Sequence, residues 1–195
     1  MNEMQARERI AQFGKSIFDR GLTAGTSGNI SVKVSDGWLM TPTNSSLGSL
    51  EPATLSRLGS DGKLVSGGQP TKEAFLHRAM YEMRSDCQAV FHLHSTHSVA
   101  VSCLADVNVA DVLPPITAYY IMRIGTLPLI PYFKPGDLKL ADAVREKAGK
   151  HHAVLLANHG LSWRERHWTQ PSARSKSWKR QQSCFSSCMG TACAI

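Results

Sequence analysis

The chain has 195 residues and a formal net charge of +7, and 42% of its residues are hydrophobic. This length allows one domain with a substantial core, without disulfide bonds. The basic excess is concentrated at the C-terminus, because six Arg or Lys and one Glu follow Leu161 and give that segment a net charge of +5. The rest of the chain is near neutral and shows no basic stripe, which argues against a nucleic-acid partner.

The cysteine distribution and the N-terminus indicate the compartment. Cys87 and Cys103 lie in apolar segments of the body, which fits a reducing environment better than a disulfide scaffold. The N-terminus is an amphipathic helical pattern unlike a signal peptide, and no apolar run approaches the roughly 20 residues of a membrane span. We therefore expect a soluble cytoplasmic protein with no membrane partner.

The first predicted elements are a helix and a hairpin. Ile10, Phe13 and Ile17 recur at helical spacing and predict a helix that ends near Gly21. The glycine-rich loop GLTAGTSG then leads into a hairpin whose strands are NISVKV and WLMTP. Residues 50–68 are mixed, with turn signals at SDGK and SGGQP.

The remainder alternates between helices and strands. TKEAFLHRAMYEMR predicts a strong helix with Thr71 as its N-cap. The later elements are a strand in AVFHLH, a helix in THSVAVSCLA, a turn at Pro114, the segment ITAYYIMRI, a strand in LPLIPYF, a helix in LADAVREKAG and a last strand in HAVLLAN. This order predicts an α/β or α+β domain with three layers.

Three histidines interrupt the apolar stretch AVFHLHSTHSVA. In a strand, His92 and His94 project from the same face, and neutral imidazole is the commonest ligand for divalent transition metals. His97 lies beyond the expected strand end. These twelve residues alone fit two interpretations equally well: half of a metal site, or a strand whose histidines form hydrogen bonds in a polar crevice.

Two further residues extend the metal interpretation. His159 follows the last predicted strand and could supply a third imidazole, and three nitrogens with an open position are typical of a catalytic zinc site. Glu73, in the first turn of its helix, could act as a general acid, a general base or a displaceable fourth ligand. A carboxylate at that position could equally serve only the helix dipole. We interpret His77, one turn later, as a helix-face residue rather than a ligand.

Three short segments could bind a phosphate. Gly-rich turns with hydroxyl side chains form anion cradles, and helix starts favour phosphate. The candidate residues are Thr26, Ser27, Gly28 and Asn29 in the first loop, Thr43, Asn44, Ser45 and Ser46 in TPTNSS, and Thr71 with Lys72. Each segment alone is more often ordinary loop chemistry.

Jointly, the motifs GLTAGTSGNIS, TPTNSS, PTKEAFLH, HLHSTHS and LLANHG resemble the class II aldolase/adducin family. The resemblance implies a central, mainly antiparallel sheet flanked by helices, and a fourfold-symmetric homotetramer with shared sites. It makes His92, His94 and His159 the ligands of one zinc ion per subunit and Glu73 the catalytic acid or base. The implied phosphate pocket contains Gly28, Asn29, Thr43 and Thr71. Family aldolases tend to have two serines where this chain has Thr71 and Lys72.

Within the family, PTKEAFLHRAMY, HLHSTHSVAVSCLADV and LPPITAYYIMRIG are most similar to the decarboxylases of 3-oxo-tetronate 4-phosphate. The resemblance implies a substrate that is a small phosphorylated sugar acid, and products that are dihydroxyacetone phosphate and carbon dioxide. Tyr119 and Tyr120 are candidate donors to a neighbouring subunit's site, with core packing as the alternative. The motifs leave two other functions open: a sugar-phosphate aldolase or 4-epimerase, and a non-catalytic adducin-like binding module.

The sequence changes character after Gly160. This segment contains three of the four Trp and three of the five Cys, and it has no sustained apolar period. We interpret residues 1–160 as the domain and 161–195 as an aberrant basic tail that replaces the strand and helix expected in the family. We hypothesise that the gene, or its sequencing record, lacks one base at the codon after Gly160. The alternatives are a basic interaction tail and a metal site built on Cys184 and Cys188.

Overall fold

The computed structural model describes residues 2–115, 117–134, 136–166 and 168. The helices in this part of the chain are α1 (Glu3–Asp19), α2 (Ala74–Met83), α3 (Thr96–Ser102), α4 (Ala118–Arg123) and α5 (Lys139–Ala148). The strands are β1 (Asn29–Val34), β2 (Gly37–Met40), β3 (Ser56–Gly59), β4 (Leu64–Ser66), β5 (Ala89–Leu93), β6 (Leu129–Ile130), β7 (Ala153–Leu156) and β8 (Gly160–Glu165). Cys184 and Cys188 lie outside the described residues.

These strands form one sheet in the order β4-β3-β2-β1-β5-β8-β7-β6. Only the short pair of β6 and β7 is parallel. Strands β5 and β8, distant in sequence, are direct neighbours near the middle of the sheet. The predicted, mainly antiparallel sheet is confirmed.

Helices cover both faces of the sheet, which confirms the three-layer prediction. Helix α1 begins with a capping box between Asn2 and Gln5 and packs Ile10 and Ile17 against one face, where Phe91 is also buried. Helices α2 and α5 cover the other face around Val90. The alternation along β5 therefore sends Phe91 to one helical layer and Val90 to the other. Among the described residues, no helix is long and apolar enough to cross a membrane.

Three local predictions need revision. The mixed segment 50–68 contains the hairpin of β3 and β4. Helix α2 begins at Ala74 with Glu73 in the capping position, so Thr71 is not its N-cap and Glu73 precedes the first turn. Strand β7, predicted to be the last, is followed by β8, which the sequence analysis had assigned to the tail.

Strand β8 packs one aromatic side chain well against the sheet but buries a charged side chain. Trp163 stacks on Phe91, with ring centroids 4.9 Å apart and planes 8° apart. Arg164 pairs with Val90 in the neighbouring strand, and its side chain is 0% exposed. Among the described residues, its Nε and Nη2 have no hydrogen-bond partner, while its Nη1 lies 3.3 Å from Asp86. A buried guanidinium with so few partners is a source of instability.

We predict that Arg164→Met stabilises the fold. Replacing a buried ion pair by an apolar side chain of similar volume is often neutral or stabilising, by about 1–4 kcal/mol. Asp86 would not lose its only partner, because Arg166 Nε lies 2.8 Å from its other oxygen. Urea unfolding of both proteins measures the difference.

The matched control is Arg166→Met, which makes the same chemical change at a side chain that is 48% exposed. We expect this variant to stay within about 0.5 kcal/mol of the parent. A clear loss of stability in Arg164→Met would contradict the prediction.

Candidate metal centre

Four predicted side chains converge at one end of the sheet. His92 lies near the end of β5, His94 follows that strand, His159 precedes β8 and Glu73 precedes α2. One ligand atom from each lies within 4.8 Å of the others. The Nε2 atoms of His92 and His94 are 2.7 Å apart, and Glu73 Oε1 lies 3.1 Å from His159 Nε2 and 3.5 Å from His92 Nε2.

The antiparallel pairing of β5 and β8 explains why residues 92 and 159 meet. Leu93 faces Leu161, so the turn before β8 lies beside the end of β5. Asn158 adopts the left-handed conformation in this turn, with a φ of 55°. A Cβ at Gly160 would lie 2.5 Å from the Leu93 carbonyl oxygen and 3.0 Å from the His94 ring. A glycine at this position therefore permits the close approach of the two strands.

The donor set fits a single metal ion. Ser162 Oγ lies 2.8 Å from His92 Nδ1, so Nδ1–H can donate to the hydroxyl and leave the Nε2 lone pair directed at the cluster. Three imidazole nitrogens and one carboxylate oxygen are ligands that divalent transition metals accept. The cluster can therefore hold a metal ion.

The electrostatics favour metal binding at neutral pH. Burial lowers the pKa of His92 to about 3, and burial together with His159 lowers the pKa of His94. Burial raises the pKa of Glu73, but the influence of His92 and hydrogen bonds from His159 and Asn29 outweigh it, so this pKa lies well below its usual range. At pH 7 His92 is neutral and exerts no charge effect, so the hydrogen bonds from His159 and Asn29 keep Glu73 ionised. Neutral imidazoles and an ionised carboxylate are the states that metal ligands need.

Asn29 has a different environment from the one predicted. Its Nδ2 donates to Glu73 Oε2 over 2.6 Å, and its Oδ1 accepts a hydrogen bond from His77 Nε2. Both ends of the side-chain amide are thus engaged, so only its backbone remains a candidate for phosphate binding. His77 is fully buried, on the face of α2 that contacts Asn29.

The other phosphate candidates lie in two neighbouring loops and one separate loop. A hydrogen bond of 2.8 Å from Thr43 N to Gln69 O joins the loop after β2 to the segment that contains Thr71 and Lys72. Asn44 lies in the same loop as Thr43. Thr26 and Gly28 lie in the loop before β1, where Gly28 approaches the His92 carbonyl and Thr26 is exposed.

The side chain of Tyr120 packs in the hydrophobic core. It is 2% exposed and belongs to the buried cluster that contains Val101, Leu127 and Leu155. This position corresponds to the packing alternative that the sequence left open. His97 is exposed on α3.

Three residues around the site were not predicted to belong to it: His77, Ser31 and Ser162. A pattern was available for two of them. His77 lies four residues after Glu73, on the same helix face, and Ser31 lies two residues after Asn29, on the same strand face. Ser162 had no such signal, because it falls in the segment assigned to the tail.

A three-layer fold with three histidines and a glutamate at one end of its sheet is the arrangement of a metal-binding enzyme site. The family model of the class II aldolase and adducin N-terminal domain matches residues 8–172. The chain therefore belongs to the class II aldolase and adducin family.

Several relatives narrow this assignment. The 3-oxo-tetronate 4-phosphate decarboxylase of Cupriavidus necator is 45% identical over 158 residues, which cover 81% of this chain and 73% of that protein. The L-fuculose phosphate aldolase of Methanocaldococcus jannaschii is 31% identical over 156 residues, covering 80% of this chain and 81% of that protein. The crystal structure of YgbL from Klebsiella pneumoniae, described as an aldolase, epimerase or decarboxylase, has a TM-score of 0.88 and 35% identity, covering 100% of this chain and 90% of that one.

We predict that Ser162→Ala weakens metal binding roughly 10- to 100-fold, because it removes the hydroxyl that orients His92. Competition with a metal-sensitive chelator measures the affinity of the purified, metal-stripped protein. The control is Ser102→Ala, at another buried serine, whose hydroxyl bonds the Val99 carbonyl in its own helix. Equal affinities in the two variants would show that Ser162 does not orient the ligand.

Proposed function

We propose that this protein is a zinc-dependent decarboxylase that converts 3-oxo-tetronate 4-phosphate to dihydroxyacetone phosphate and carbon dioxide, in the catabolism of four-carbon sugar acids. The observation that carries this proposal is the cluster of Glu73, His92, His94 and His159. Decarboxylases with 41–45% identity support the choice of reaction within the family.

In this proposal, His92, His94 and His159 hold zinc, one ion per subunit. The ion would act as a Lewis acid that stabilises the negative charge that develops when carbon dioxide leaves. The histidines hold their nitrogens toward one point because β5 and β8 are adjacent. His92 is held within β5, and His94 and His159 lie one residue beyond paired strands, so the sheet limits the movement of all three.

Glu73 has the proton-handling role. When the bond between C1 and C2 breaks, its electron pair is delocalised from C2 onto the C3 carbonyl oxygen, and C2 must then receive a proton. The carboxylate of Glu73 is ionised at neutral pH, so it would take a proton from a bound water and pass that proton to C2, and the hydroxide that the water leaves would be neutralised by solvent. Its Oε2 is held by Asn29, which leaves Oε1 toward the histidines.

The phosphate of the substrate would lie against the loops that carry the predicted residues. Thr43, Asn44, Thr71 and Lys72 occupy neighbouring loops, and Lys72 is exposed and supplies positive charge. Gly28 and the backbone of Asn29 border the same end of the sheet. Thr26 is the outermost candidate of this set.

We further propose a cytoplasmic homotetramer. The resemblance to the family implies the tetramer, and association with another subunit is supported by an apolar surface on α4, where Ile121 is 45% exposed and Met122 is 76% exposed. Neighbouring apolar side chains of this kind favour burial against another subunit.

We predict that the purified protein releases carbon dioxide from 3-oxo-tetronate 4-phosphate, loses this activity with a chelator and regains it with zinc. Glu73→Gln should lower kcat roughly 100- to 10,000-fold, because the amide cannot take up or deliver a proton. Coupled assays for carbon dioxide and dihydroxyacetone phosphate measure the reaction.

The matched control is Glu82→Gln, which changes an exposed glutamate on α2 that pairs with Arg145. It should keep the parent kcat. Cleavage or condensation that requires an aldehyde and releases no carbon dioxide would instead identify an aldolase. No turnover of either kind in the metal-loaded protein would contradict the enzyme assignment.

A further inference from the structure

A chain of hydrogen bonds leads from Glu73 into the core. Beyond the link between Asn29 and Glu73, Ser31 Oγ lies 2.6 Å from His77 Nδ1 and 2.9 Å from the Tyr81 hydroxyl. His77 Nε2 contacts Asn29 Oδ1. The four residues beyond Glu73 are all buried, with exposed fractions between 0% and 7%. A buried polar chain of this kind must satisfy its donors and acceptors internally.

The carboxylate fixes the direction of every bond in this chain. Asn29 Nδ2 donates to Glu73 Oε2, so the amide presents its NH₂ group to Glu73 and its oxygen to His77. His77 must then carry its proton on Nε2 and accept a hydrogen bond from Ser31 at Nδ1. Ser31 in turn accepts from Tyr81. Reversing the Asn29 amide would place two acceptors against each other at Glu73.

Two elements build this chain. Glu73 and His77 are four residues apart at the start of α2, and Asn29 and Ser31 are two residues apart on β1. Helix α2 packs on the face of the sheet to which both β1 side chains point, so the two pairs meet. The protonation state of His77 agrees with this arrangement, because burial lowers its pKa to about 4 and leaves it neutral.

We propose that His77 is a positioning residue: by donating from Nε2 to Asn29 it fixes the amide that holds Glu73 in its orientation toward His92 and His159. His77 touches neither the cluster atoms nor the reacting group, and it acts only through Asn29. The catalytic consequence rests on the proposed function, whereas the tautomer and the orientation of Glu73 do not.

Two variants separate this role from simple core packing. In His77→Gln the amide nitrogen takes the place of Nε2 and can still donate to Asn29. In His77→Asn the shorter side chain can accept from Ser31 but does not reach Asn29. Each variant loses one hydrogen bond of the buried chain of hydrogen bonds and creates a similar packing defect. Their melting temperatures and metal contents therefore show whether a difference in kcat comes from stability or metal loss.

We expect His77→Asn to lower kcat roughly 10- to 100-fold with little change in KM, and His77→Gln to recover most of that loss. Equal kcat values in the two variants, or a kcat that follows melting temperature alone, would overturn the positioning role.

A second readout does not depend on catalysis. Long-range ¹H–¹⁵N NMR spectra of the parent protein should show the Nε2–H tautomer of His77, and the Nδ1–H tautomer or an imidazolium would overturn the proposal. If the parent protein fails to release carbon dioxide while the Nε2–H tautomer is observed, then the proposed function fails and the positioning of Glu73 stands.

Discussion

The position of β5 between β1 and β8 is the constraint on which the site depends. His92 is paired with Asn29 on one side and with Ser162 on the other. A slip of one residue in either pairing would turn His92 to the opposite face, where Phe91 now packs. The same register brings the turn at residue 159 to His94. Strand pairing therefore brings together the segments that carry the three histidines.

Burial and hydrogen bonding divide the roles of the ionisable groups. The fully buried His92 stays neutral, whereas Glu73, with a side chain 21% exposed, stays ionised because donors surround it. An ionised carboxylate beside the neutral imidazole of His92 gives this end of the sheet a negative charge, which favours a cation. Hydrogen bonding thus keeps Glu73 able to accept a proton, and burial keeps His92 able to bind a metal.

Alternation and helical spacing are local signals and predicted the layers, whereas the mainly antiparallel sheet and the full ligand set followed from the resemblance to a family. His92 and His94 could be placed on one face from their spacing alone. The role of Asn29 could not be predicted, since a loop asparagine before a strand fits a phosphate site and a carboxylate equally well. The role of Tyr120 could not be predicted either, because an aromatic residue on an amphipathic segment can pack in a core or contribute to a shared site.

The segment after Gly160 forms a strand of the sheet, but its charged residues do not suit the buried positions that this strand occupies. Strand β8 forms, but it places the Arg164 guanidinium inside the sheet and holds Glu165 where burial raises its pKa to about 7. Charged residues at buried positions support the hypothesis of a one-base deletion, which remains a prediction. Ser162 belongs to the same segment and nevertheless serves His92.

The most direct test of the metal-dependent enzyme is the metal content of the purified protein, measured together with its native mass. We expect about one zinc ion per chain in a tetramer. We also expect loss of the ion in His94→Ala, and retention in His97→Ala at the exposed histidine of α3. A folded parent protein that binds no metal when zinc is supplied, or one that keeps its zinc in His94→Ala, would contradict the account.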